Sequence, residues 1–444
     1  MNGPLRFALS ALLGIGVVGL ATAETAPSLP KAPLRLPNGE PLVCIYYFGH
    51  WWDPWKSDDD AIRRDFKRLR DMGFTAICVD HEWSQAIDGN WKWLDREHRL
   101  AKEAGLGMVP WLSLKTWSDV DGEQRLKLAK EWYGVEIRLG ENQDGSLAPP
   151  LIYDDSVIEF GARYACDYLK RYQDQALLRL AWNGKSQPVI SLSVESAWNG
   201  SFDEETNRRF RDWLKKQYGT IGAVNGAWHT DYRDFDAVDP KDKAVFDYAA
   251  HPDGKAKPPR AVEEPVAFRS QTLSDSLARM ADRVREQYPD VLFLAEIPYQ
   301  YGSKHPHAVG YRIGYGADPS SCDYADIVLF RNTGPLNAEE AAALREAEAR
   351  TGQKFVLTYR TYSDWDVTPD SPNFAKSVEA DAGQAAALAH GFGFYSWNEM
   401  VDVHVAYAPS PPKDVGWTEV RADRAIRLLG AMTKRYRELV GTTQ

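Results

Sequence analysis

The chain has 444 residues, 44% of them hydrophobic and 26% charged, with a formal net charge of −10. That apolar share supports a large core and excludes a disordered chain, and the acidic balance argues against nucleic acid, whose phosphates require clustered cations. The 16 Trp and 21 Tyr are unusual: flat aromatic rings fill cores, and they also stack on the C–H faces of sugar rings.

Residues 1–23 read as a secretory signal peptide. Arg6 supplies the positive start, Phe7–Leu20 the apolar run, and Ala21-Thr22-Ala23 the small-residue cleavage signal. The run is too short and wrongly flanked for a membrane span, and no other run approaches that length. Export to the periplasm or medium, with cleavage near Ala23, is the expectation. Residues 24–40, rich in Pro and Ala, read as a linker, and residues 41–444 as a single catalytic domain.

From Leu42 onward, short apolar runs alternate with amphipathic helical segments. The eight strands expected are Leu42–Phe48, Phe74–Asp80, Gly107–Leu112, Pro188–Val194, Val291–Ala295, Asp326–Phe330, Lys354–Tyr359 and Gly393–Trp397. Helices Asp59–Met72 and Trp93–Ala104 end at Gly73 and Gly105, residues suited to a helix C-terminal stop. Eight such units predict a (β/α)8 TIM barrel with long insertions after strands 3 and 4. The first insertion holds a predicted helix Val157–Leu180, the second helices Glu204–Tyr218 and Ile221–Trp228. No Gly-rich phosphate loop follows the first strand, which argues against an open dinucleotide-binding sheet. Cys44 and Cys78 sit in apolar strands and are expected as buried free thiols. The Cys and His spacing suggests neither a metal site nor a cofactor.

In such barrels the active site lies at the C-terminal ends of the strands. Strand 1 leads to Trp51, Trp52 and Trp55, strand 2 to Asp80 and Glu82, and strand 3 to Trp111. Strand 4 leads to Glu195, Trp198 and Asn199, strand 5 to Glu296 and Tyr299, and strand 6 to Arg331. Strand 7 ends in Tyr359 and Arg360, and strand 8 leads to Trp397, Glu399 and Asp402. Carboxylates among aromatics suit glycosidic cleavage: one acid protonates the leaving oxygen while a second carboxylate attacks the sugar or activates water. Glu195, closing the apolar run Val189–Val194, is the leading catalytic candidate, followed by Glu399 and Glu296. The remaining residues are expected to bind an oligo- or polysaccharide. A barrel that binds polysaccharide without cleaving it, or transfers sugars at the same site, is the alternative.

A family resemblance supports this reading. The stretch Phe210-Arg-Asp-Trp-Leu-Lys-Lys-Gln-Tyr-Gly-Thr-Ile-Gly-Ala-Val-Asn-Gly-Ala-Trp228 resembles the segment after the acid/base glutamate in glycoside hydrolase family 42, β-galactosidases of the retaining clan A. Asn90-Trp-Lys-Trp-Leu-Asp95, Gly383-Gln384 and Ala389-His390-Gly391 are similar to other parts of that family. The resemblance implies that Glu195 is the acid/base. Two departures stand out. Val194 occupies the position where the clan has Asn, and strand 7 offers Tyr359 or Arg360 where its nucleophile glutamate is expected. Trp397-Asn398-Glu399 with Asp402, and the opening Tyr46-Tyr47-Phe48-Gly49, are similar to glycoside hydrolase family 99, retaining α-mannosidases with both catalytic acids after strand 8.

Overall fold

The computed structural model describes residues 30–49, 55–83, 86, 91–114, 122–141, 145–193, 202–239, 260–297, 324–332, 336–360, 372–398 and 419–441. Its strands, in chain order, are β1 (Val43–Tyr46), β2 (Ala76–Asp80), β3 (Gly107–Ser113), β4 (Leu139–Glu141), β5 (Leu147–Pro150), β6 (Arg179–Trp182), β7 (Lys185–Ser193), β8 (Leu292–Ile297), β9 (Ile327–Asn332), β10 (Lys354–Arg360) and β11 (Gly391–Tyr395). Eight of them pair in parallel in the order β1-β2-β3-β7-β8-β9-β10-β11, and β11 returns to β1 through Val43↔Phe392 and Ile45↔Phe394. The barrel is therefore closed, and the expected α/β barrel is borne out. Strands buried on both faces must be apolar throughout, which is why these runs were legible. β1 and β2 are buried at every residue.

The helices in chain order are α1 (Asp59–Asp71), α2 (Lys92–Ala104), α3 (Gly122–Tyr133), α4 (Asp155–Tyr172), α5 (Glu204–Tyr218), α6 (Ile221–Trp228), α7 (Arg260–Gln287), α8 (Ala338–Thr351), α9 (Pro372–Leu388) and α10 (Glu419–Gly441). Local chemistry sets their ends. The Asp58 carboxylate caps α1 by accepting from the Asp60 N–H, Asp59 and Asp60 stand in its first turn, and Arg68 and Arg70 in its last. This arrangement complements the helix dipole. Gly73 and Gly105, with φ of 95° and 69°, adopt the left-handed backbone that ends a helix.

One expected element is corrected. The helix predicted over Val157–Leu180 stops at Tyr172, and Arg179–Trp182 turn back as β6, antiparallel to β7. The connection is Asn183-Gly184, with φ of 49° and 76°, the two-residue turn whose positive φ values match strand twist. β6 and the segment before β1 cover one end of the barrel: Leu34, Leu178 and Leu180 join the interior cluster, and Ala181 N–H donates to Arg35 O at 2.8 Å. From this segment Leu34 is buried and Leu36 is partly buried against the barrel interior. Glu40 takes Arg70 of α1 at 2.6 Å and Arg437 of α10 at 3.2 Å, joining this segment to two helices.

After β7, α5, α6 and the start of α7 enclose a separate small core of Phe202, Phe210, Leu214, Val224, Trp228, Val238 and Phe268. Most of the apolar residues in the Phe210–Trp228 stretch serve this core. Asp203 caps α5 by accepting from Glu205 and Thr206 N–H, and the Thr206 hydroxyl lies 2.8 Å from that of Tyr153, next to α4.

Candidate active site

Alternation along each strand decides which side chains reach the barrel interior. On β1, Cys44 and Tyr46 join the interior cluster, whereas Val43 and Ile45, with Tyr47 just beyond the strand, pack in the shell between barrel and helices. Interior residues on the other strands are Ala76, Cys78, Val109, Trp111, Val189, Leu292, Leu294, Ile327, Leu329 and Val356. The same parity carries Asp80 on β2 and Glu296 on β8 to the interior side. Asp80 is paired in register with Trp111 and is 2% exposed, and Glu82, two residues on, is also buried. Glu296, in register with Leu329 of β9, is half-buried.

At the C-terminal ends of the strands an aromatic cluster forms the floor of the mouth. The Tyr46 ring lies 4.9 Å from Trp111 and 5.0 Å from Tyr395, and Phe48 lies 5.6 Å from Tyr395. Cys44 and Cys78 are buried and unbridged within the same interior. Among the described residues no three His, Cys, Asp or Glu side chains are grouped to hold a metal ion, and no helix is long and apolar enough to cross a membrane.

Of the residues singled out in the sequence, Asp80 and Trp111 stand in register on the interior face, Glu296 shares that parity on β8, and Glu82 is buried two residues beyond Asp80. Three aromatic residues lie elsewhere. Tyr359 points outward from β10, and its hydroxyl donates to Gln384 Oε1 of α9 at 3.3 Å. Trp397 is completely buried in the outer shell, as is most of Trp55. Both indoles stand beside the Asp65 carboxylate of α1, to which the Tyr47 hydroxyl donates at 3.3 Å. Burial pushes the Asp65 carboxyl above its usual range, and Trp397, Trp55 and Tyr47 oppose that shift. These three tryptophan and tyrosine positions therefore support the barrel from outside. Asn398 does the same, its Oδ1 accepting from Phe48 N–H at 2.7 Å.

Arg331 and Arg360 fall on β9 and β10 with side chains outside the described set, and Trp51, Trp52, Glu195, Trp198, Asn199, Tyr299, Glu399 and Asp402 lie outside the described residues altogether. Tyr46 and Tyr395 join this face without having been among the expected site residues. The signal available for them was parity with Cys44 and Gly393, since every second residue shares a face.

Residues 184–298 match the glycoside hydrolase family 42 model, described as β-galactosidase. The match runs from β7 through Glu195 and the small helical core to β8 and Glu296. The barrel superposes on the catalytic domain of β-amylase from Paenibacillus polymyxa with a TM-score of 0.53 at 14% identity, covering 88% of this chain and 98% of that one. It superposes on β-galactosidase from Bacillus circulans sp. alkalophilus with a TM-score of 0.52 at 14% identity, covering 93% of this chain and 56% of that one. At such identities the two structures show a shared fold, and the chain spans about half the length of that β-galactosidase. With the match placed on β7 and β8 of a closed barrel, the chain is a (β/α)8 barrel similar to glycoside hydrolase family 42 over residues 184–298.

Proposed function

We propose that the protein is an exported glycosidase that cleaves an oligo- or polysaccharide at the C-terminal mouth of the barrel, with Glu195 as the general acid. The observation that carries this reading is the location of the family 42 match: it covers the two adjacent strands that lead to Glu195 and hold Glu296. Glu195 follows Ser193 by two residues, in the same parity as Val189 and Ser191 of β7.

The second carboxylate is assigned to Glu399. The β10 sequence Lys354–Arg360 contains no Asp or Glu, and Glu296 stands on β8, immediately beside β7 rather than across from it. β11 is diametrically opposite β7 in the strand order, and Glu399 follows β11 by four residues. Carboxyls on facing strands suit the separation of about 6.5–9.5 Å that leaves room for a water and inverts the anomeric centre, against about 5–5.5 Å for retention. Glu296, Asp80 and Glu82 are assigned to sugar hydroxyls, and the Tyr46–Trp111–Tyr395 floor to their apolar faces. A barrel that binds polysaccharide without cleaving it is the second reading, favoured by the missing acid on β10.

The test is hydrolysis of a panel of β-galactosides, α- and β-glucans and mixed polysaccharides by the wild type and by Glu399→Ala. Loss of turnover in the variant with binding retained supports the assignment; full activity in Glu399→Ala removes it.

A further inference from the structure

The end of β2 places one histidine between two carboxylates, Asp80-His81-Glu82, and all three residues are buried. His81 turns away from the mouth, into the shell against α2 and α4. Its N–H donates to Trp111 O at 2.9 Å, and its carbonyl accepts from the Tyr164 hydroxyl at 2.9 Å. Both ring nitrogens are engaged as well: Nε2 lies 2.7 Å from Glu97 Oε2 and Nδ1 2.5 Å from the Tyr168 hydroxyl. That hydroxyl also lies 2.6 Å from His98 Nε2. The His98 ring lies flat on Tyr172, centroids 3.8 Å apart at 3°, and its Nδ1 has no hydrogen-bond partner among the described residues.

That single nitrogen orders the protons of the whole chain. Burial holds His98 well below the ordinary histidine range, so the ring is neutral and carries one proton. A proton on Nδ1 would be a buried donor with nothing to receive it, so it resides on Nε2 and is donated to the Tyr168 oxygen. The Tyr168 hydroxyl then gives its own proton to His81 Nδ1. His81 in turn carries its proton on Nε2, facing the Glu97 carboxylate. The donation runs one way, from His98 through Tyr168 and His81 to Glu97.

We propose that this relay makes His81 a positioning residue: by holding every polar atom of residue 81 it fixes the direction in which Asp80 and Glu82 present their carboxylates to substrate. The proposal rests on the reading of the mouth as a sugar site. Apolar side chains would fill the same shell without desolvating four polar groups, and a fully satisfied polar network instead selects one arrangement of the strand end.

The test uses the full chain, with Tyr168→Phe cutting the relay and His98→Phe removing only its far end while keeping the stack on Tyr172. Imidazole 15N spectra of the wild type should place the protons of His81 and His98 on Nε2. With the best substrate of the panel, Tyr168→Phe should raise KM about tenfold with kcat within about twofold, the signature of lost ground-state binding. His98→Phe should move KM the same way by a smaller factor, and it decides the matter if Tyr168→Phe does not fold. Unchanged KM in a folded variant whose melting temperature alone has dropped overturns the proposal, since a purely structural network gives that pattern. A wild type inactive on every glycoside would sink the glycosidase reading. The relay would then be judged on the spectra, where a proton on Nδ1 of either ring refutes it.

Discussion

The indole of Trp111 meets the ring of Tyr46 edge to face at 4.9 Å inside the barrel, joining β3 to β1 across β2. Both rings are buried, Trp111 at 5% exposure. Trp111→Ala should therefore destabilise the protein by about 3–5 kcal/mol, the range for removing a large buried aromatic. Trp111→Phe should recover most of that loss. Urea denaturation of the two variants checks it, and a small loss in Trp111→Ala would show that the ring contributes little to the interior.

A tighter contact limits β11. A Cβ on Gly393 would stand 2.7 Å from Cys44 Sγ, 2.9 Å from Cys44 O and 3.0 Å from Thr358 Cγ2. Gly393→Ala should cost about 1–3 kcal/mol through overpacking. Adding Cys44→Ala removes the sulfur but not the carbonyl, so the double variant should show partial, non-additive relief in a thermodynamic cycle. Strict additivity would mean that the sulfur is not the obstacle.

His390 gives a pH dependence of defined sign. Its Nε2 lies 3.2 Å from Glu348 Oε1, and Lys31 pairs with the same carboxylate. Burial lowers the ring from 6.5 to about 4, with Glu348 opposing and Lys354 and Lys31 adding to the shift. Between those values the unfolded chain binds a proton that the folded chain does not, so stability is full above pH 6.5 and falls as pH drops towards 4. His390→Gln should flatten that part of the curve by about 1–2 kcal/mol after allowance for solvent screening. Equal slopes for variant and wild type between pH 7 and 4.5 would contradict it.

Export makes a separate prediction. Protein recovered from its native host should begin near Glu24 and lie outside the cytoplasm, as the Arg6, apolar run and Ala21-Thr22-Ala23 pattern requires. Intact mass decides it, and an uncleaved cytoplasmic species would refute it.

The strands of the barrel were legible because each is a run buried on both faces and bounded by Gly or a charged residue. The α5 and α6 spans were legible too, and the structure shows Asp203 and Thr220 capping them. β6 was not, because Leu177, Leu178 and Leu180 continue the apolar spacing of α4, and only Asn183-Gly184 marks the hairpin. The site was harder to read for a different reason. Where aromatics stand on successive residues, as in Tyr46-Tyr47-Phe48, composition cannot say which ring faces the sugar. A one-residue change of face sends Tyr46 and Phe48 inward and Tyr47 out to Asp65. The same ambiguity placed Tyr359 and Trp397 in the expected site, although the structure puts both in the outer shell.

Glu195 carries the central claim, and Glu195→Gln tests it most directly. The variant and wild type should be compared on the glycan panel, with binding followed separately and the anomer of the first product read by NMR. An amide at residue 195 cannot donate the proton, so turnover should fall about 10²–10⁴-fold while sugar binding persists, and the wild type should release product of inverted configuration. A Glu195→Gln protein that keeps most of its activity would contradict the account.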